Sequence, residues 1–162
     1  MDDDRRDELI SAVLTVELHL GAATWERPCL FALVERDKLV EADPLAAAKV
    51  EAVPPGALVP VAQEALPEGD LDDVLAMITW PAQVAGCVLS RRLFVLPQEV
   101  REDVGQDVVR AAQHPEARIA RLTVGVLRDG THVSYLRLWG TDDLLEDTET
   151  ADDLVAALLS TL

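Results

Sequence analysis

Leu9, Val13, Val16 and Leu20 recur at intervals of three and four residues behind an acidic start, a spacing that predicts a helix over Asp4 to Gly21. On a helical wheel Glu17 falls inside the apolar arc, between Val13, Ile10 and Leu20. A carboxylate there needs a partner or a displaced pKa, because isolated buried charge is costly. Arg27 and Arg36 are the nearest basic candidates in sequence. "CLFALVE", Cys29 to Glu35, is a short continuous apolar run, the pattern of a strand covered on both faces. Asp37 to Val50 is weakly helical and interrupted by Pro44, and "VPPGALVPV" leaves room for a short edge strand over Leu58 to Ala62.

Asp70 suits an N-cap, followed by Val74, Leu75 and Ile78 as an inner face, and the residue before Pro81 must leave the helical region at Trp80. Val84 to Leu96 is apolar on both alternating sets apart from Ser90, Arg91 and Arg92, which predicts a long central strand bent at that trio. Alternation puts Arg91 and Arg92 on opposite faces, where the inward one meets Glu17 or an external carboxylate; a structural ion pair is the preferred reading. Pro97 opens a helical pattern that runs to Gln113. Asp129-Gly130 then separates two alternating runs, Ala117–Arg128 and Thr131–Trp139, and predicts a hairpin closed by a two-residue type I′ turn. That turn sets Val126 opposite Val133 and Val124 opposite Tyr135, with Leu127, Leu136 and Leu138 on the second face. A last helix carries Leu154, Ala157 and Leu158 inward. The plan is a single α+β domain with a four- or five-stranded, largely antiparallel sheet and helices at both termini and between strands.

Composition narrows the chemistry. The 162 residues fit one domain and, at 49% hydrophobic, supply ample core material. Acidic residues outnumber basic ones 30 to 14, a formal charge of −16, which disfavours direct binding to nucleic acid and to anionic membranes. No run reaches the ~20 apolar residues of a spanning helix, and "MDDDRRDELI" lacks the basic and apolar regions of a secretory leader, so the expected location is cytoplasmic. Cys29 and Cys87 sit within apolar runs as reduced core thiols, and Gly86 admits a ring or a backbone at close range, with Trp80 and Trp25 as the natural tenants. His19, His114 and His132 are dispersed without metal-ligand spacing, and no phosphate-loop, dinucleotide or nucleophile-elbow motif is present, so neither a metal nor a cofactor is expected.

Four segments together, "ELHLGAATWERPCLFALVE", "LDDVLAMITWPAQVAGCVLSRRLFVLP", "HPEARIARLTVGVLRDG" and "DDLVAALLSTL", resemble a family of small uncharacterised cytosolic proteins of actinobacteria. The likeness rests on Trp25-Glu26-Arg27-Pro28, on Trp80-Pro81 with Val84-Ala85-Gly86-Cys87, and on Gly125 to Gly130, and departs from the family pattern at Thr24 and Glu26. It implies one soluble α+β domain without a cofactor, and it brings no established activity.

Three functional readings follow. The first is a non-enzymatic interaction or regulatory module with an acidic surface, which self-associates as a homodimer or binds a protein through the second face of the hairpin. Its rival is an enzyme or small-molecule binder with a pocket near Glu17, Trp25 and Trp80, in which Arg91 or Arg92 meets an anionic or carbonyl-bearing ligand. The third is an acidic mimic of a nucleic-acid backbone.

Overall fold

The computed structural model describes residues 2–20, 28–48, 51, 56–63, 66, 70–95, 118–138, 144–146 and 152–162. Among these, helix α1 (Asp2–Leu20) precedes strand β1 (Cys29–Glu35), helix α2 (Arg36–Ala42), a 3-10 turn (Pro44–Ala47), β2 (Leu58–Ala62), α3 (Leu71–Ala76), β3 (Val84–Val95), β4 (Arg118–Leu127), β5 (His132–Leu138), β6 (Leu144–Glu146) and α4 (Asp152–Leu159). The expected helix over Pro97 to Gln113 lies outside the described residues.

The six strands form one sheet in the order β2-β1-β3-β4-β5-β6, and every neighbouring pair is antiparallel. The α+β plan read from the sequence holds, with the three-residue β6 as an addition at one edge. β1 has the buried interior its apolar run requires, and Pro60 is confined to the edge strand, where a missing N–H costs no ladder bond. Pro44 opens the 3-10 turn just past the end of α2, and Asp70 caps α3 by accepting the Asp72 N–H at 3.0 Å.

Helices cover both faces of the sheet. On one, Leu9, Ala12, Val13, Val16 and Leu20 of α1 pack on Phe31, Leu33, Val88, Leu127 and Val133. On the other, Leu75 of α3 and Leu154, Val155 and Leu158 of α4 pack on Leu30, Cys87, Leu89, Leu122, Val124 and Val126. Gly125 lets α1 approach the sheet: a Cβ there would stand 2.5 Å from Val13 Cγ2 and 3.0 Å from Leu9 Cδ1. Gly86 admits a backbone, and its nearest neighbour is the Val126 carbonyl of β4 rather than the Trp80 ring, while Trp25 lies outside the described residues.

The hairpin differs from the sequence reading by one residue. Val126 pairs with His132, Val124 with Ser134 and Gly125 with Val133. The loop takes three residues, Arg128 to Gly130: Leu127 N donates to Thr131 O at 2.8 Å, Gly130 N donates to Leu127 O at 3.0 Å, and Gly130 alone has the positive φ, +94°. That is a type I turn followed by a bulge glycine, in which Asp129 keeps a negative φ and accepts the Thr131 N–H at 2.8 Å. A one-residue slip exchanges the faces of one strand relative to the other. Leu127, Val133 and Tyr135 therefore face α1, and Leu136 faces the α4 layer. The apolar hairpin face expected to need an outside partner is thus divided between two covered layers.

No bulge marks Ser90-Arg91-Arg92, where β3 pairs with β4 without interruption from Gly86 to Val95. The irregularity falls at Ala85, where the register with β1 shifts. Arg128 secures that corner: its Nε donates to Val84 O and an Nη to Pro81 O, both at 2.7 Å, and its backbone N–H reaches Ala85 O at 3.1 Å. The Trp-Pro segment and the hairpin tip, far apart in sequence, are joined by that one side chain.

Candidate functional site

The three- and four-residue spacing along α1 delivers Glu17 to the sheet together with the leucines and valines of the same stripe, and its side chain is almost wholly buried, 1% exposed. Beneath it the α1-facing positions of adjacent strands are Ser90 and Arg92 on β3, Arg121 and Thr123 on β4, and Tyr135 and Arg137 on β5. Arg121 grips the carboxylate with two donors, Nη2 to Oε2 at 2.7 Å and Nε to Oε1 at 3.2 Å. Arg137 Nε donates to Oε2 at 3.0 Å, and the Thr123 hydroxyl donates to Oε1. Ser90 Oγ stands 3.2 Å from Thr123 Oγ1. Since Thr123 has one hydroxyl proton and gives it to Glu17, Ser90 is the donor within that pair.

Four donors meet the roughly four lone-pair directions of a carboxylate, so Glu17 is saturated. Burial pushes its pKa up, but the hydrogen bonds from Arg121, Thr123 and Arg137 and the Arg121 charge outweigh burial and hold it below the usual carboxylate range. The buried acid is therefore ionised, with its lone pairs occupied. Such a group is a poor general acid, because it holds no proton, and a poor general base, because its lone pairs are engaged. Physically it is a clasp that ties α1 to β4 and β5.

Where, then, do the other expected site residues lie? Arg36, one of the two arginines nearest Glu17 in sequence, faces Asp37 at 3.5 Å instead, and Arg27 lies outside the described residues. Trp25 lies outside them as well. Arg92 shares the face of Glu17 but is exposed, and Arg91 lies on the opposite face, so neither supplies the inward ion pair expected of them. Trp80 packs with Leu75, Cys87 and Leu158 on the α4 side of the sheet, so the sheet itself separates it from Glu17. Among the described residues Glu17 and Trp80 thus lie on opposite faces of the sheet.

On that second face Cys87 is fully buried. Its sulfur lies 4.0 Å from Thr161 Oγ1, and burial, against smaller opposing contributions from Thr161 and Trp80, pushes the thiol up to about 11. A catalytic thiol requires the opposite displacement, so the reading of Cys87 as a core residue stands on its environment. The Trp80 indole N–H is buried against this region with no partner of hydrogen-bonding geometry among the described residues, while its backbone N–H donates to Thr161 O at 3.0 Å. Among the described residues no group of three or more His, Cys, Asp and Glu side chains is placed to hold a metal ion, and no helix is long and apolar enough to cross a membrane.

Arg121, Thr123 and Arg137 escaped the sequence reading because the one-residue error in the hairpin set the two arginines on opposite faces. A three-residue loop brings both beneath α1, the helix that carries the interior carboxylate Glu17, and that complementarity of charge was the available signal. Comparison with curated proteins and with solved structures returns no match. The family model described as PPA1309-like protein matches residues 9–162, a span that runs from within α1 through the six described strands to α4, and the chain therefore belongs to the PPA1309-like protein family.

Proposed function

We propose that the protein is a non-enzymatic interaction module of the cytoplasm that works through its acidic exterior on a protein partner of opposite charge. The observation that carries this reading is the division of acid between interior and surface. The interior carboxylate, Glu17, is committed to four donors, whereas Asp72 and Asp73 at the start of α3 and Asp152 and Asp153 at the start of α4 are exposed in one layer. With a formal charge of −16, the surface repels a second copy and attracts a basic one. Exposed carboxylates of this kind set association rate and salt dependence more than they set chemistry.

Affinity capture on the immobilised full chain, with washes of rising ionic strength, tests the proposal. A discrete basic protein should be retained in near-stoichiometric amount and released as salt screens the contact, and a variant with Asp72, Asp73, Asp152 and Asp153 changed to Asn should lose it. Retention that ignores both salt and the Asn variant would contradict the reading. Displacement of the captured protein by duplex DNA would identify the module as a mimic of the nucleic-acid backbone.

A further inference from the structure

Residues Thr79 to Gln83 lead from α3 back to β3, and of the five only Trp80 turns inward; Thr79, Pro81, Ala82 and Gln83 are exposed. The Trp80 ring packs with the cluster that holds Cys87 and with the smaller cluster of Ala32, Val34 and Val84. Few bonds hold the segment down. Among the described residues, Trp80 N–H donates to Thr161 O at 3.0 Å and Val84 N–H closes a turn on Pro81 O at 3.0 Å. The rest come from one guanidinium: Arg128 Nη2 donates to Pro81 O at 2.7 Å and to Trp80 O at 3.3 Å, and its Nε to Val84 O at 2.7 Å. The buried Trp80 indole N–H has no partner of hydrogen-bonding geometry among the described residues, and an orphaned donor subtracts from the stability of the state that buries it. A segment with exposed backbone and a single inward ring belongs to the low-stability end of a fold.

We propose that Thr79–Gln83 is a strap that opens as a unit while the sheet stays folded, and that Arg128 at the hairpin tip is the latch that holds it shut. Opening lifts the Trp80 ring off Cys87, which is otherwise wholly buried, and bares the apolar cluster of Ala32, Val34 and Val84 beside it. The indole N–H regains water in the open state, which narrows the gap between the two states. The latch donors are charge-assisted and converge on three carbonyls of the strap and its exit into β3, so they carry much of the closing force. Because Arg128 belongs to the loop between β4 and β5, the state of the hairpin tip sets the population of the open strap. Glu17 and its partners, on the opposite face, take no part in the motion.

Alkylation of the full-length protein by iodoacetamide in mildly alkaline buffer, resolved for each cysteine by mass spectrometry, reads the opening through Cys87. A buried thiol reacts only in the molecules that expose it, so its rate follows the opening equilibrium. Arg128→Ala, a change at an exposed side chain, should speed Cys87 labelling at least about tenfold, the worth of one charge-assisted hydrogen bond, and leave the Cys29 rate unchanged. Arg128→Lys keeps the charge with fewer placed donors and should fall between that variant and the wild type. Arg137→Ala is the control: it loosens the domain from the other face without touching the strap, and should leave the Cys87 rate within about twofold of the wild type. Equal acceleration of Cys87 by Arg137→Ala and Arg128→Ala would mean that the thiol is reached only through unfolding of the whole domain, and would overturn the strap. An unchanged Cys87 rate in Arg128→Ala would overturn the latch.

Discussion

Removing the Glu17 side chain provides the sharpest energetic test of the clasp. In Glu17→Ala the Arg121 guanidinium, 1% exposed, loses its carboxylate and cannot recover the hydration it gave up on folding. Breaking one partner of a buried ion pair costs about 3–5 kcal/mol, which is a large part of the roughly 5–15 kcal/mol that holds a domain together. At about 2–4 °C per kcal/mol for a chain of this length, the melting temperature should fall by about 6–20 °C. Arg137→Ala should cost less, about 1–2 kcal/mol, because Arg137 is 20% exposed and Glu17 keeps Arg121 and Thr123. Glu17 and Arg121 touch, so the double variant Glu17→Ala/Arg121→Ala should be less destabilised than the two single changes summed, by at least about 2 kcal/mol. Urea unfolding at pH 7 with unchanged m-values measures all of these. Additive single changes, or a loss below about 1 kcal/mol for Glu17→Ala, would refute the claim that the carboxylate is held by buried charge.

Three further expectations concern pH, reactivity and the turn. Because the Glu17 pKa is lowered on folding, its ionic contribution is fully present above the unfolded value of about 4.3 and is lost as pH falls through the folded one; the stability gap between wild type and Glu17→Gln should be flat near neutrality and narrow in acid-titration unfolding curves. Cys29, half-buried, should react with a mild thiol reagent in the native protein well before Cys87, whose thiol is buried and displaced to about 11, and both should react alike in denaturant. Gly130→Ala, with open space around the new methyl but φ at +94°, should cost about 1 kcal/mol of backbone strain, whereas Gly86→Ala, driven into the Val126 carbonyl, should cost more in chemical denaturation.

Much of the fold was legible because local signals agreed with it. The three- and four-residue spacing in α1 gave both the helix and the burial of Glu17, and the unbroken apolar run of β1 gave a strand covered on both faces. The identity of the Glu17 partners was not legible by the same means. Arg121 and Arg137 lie 104 and 120 residues away, and only the hairpin register decides whether they share a face. Asp129-Gly130 fits either a two-residue or a three-residue loop, and the side-chain period of two converts that single ambiguity into an exchange of faces. The place of Trp80 was not legible for a different reason: it depends on the turn after α4, where the Thr161 carbonyl receives the Trp80 N–H, a contact with no counterpart in local pattern.

Glu17 is an ionised, saturated clasp rather than a proton-transfer group. Site-specific NMR titration of its side-chain carboxyl carbon measures this directly. A midpoint below the ordinary glutamate value of about 4.3 is predicted, and a midpoint displaced toward neutrality, the mark of a carboxyl kept protonated for chemistry, would contradict it.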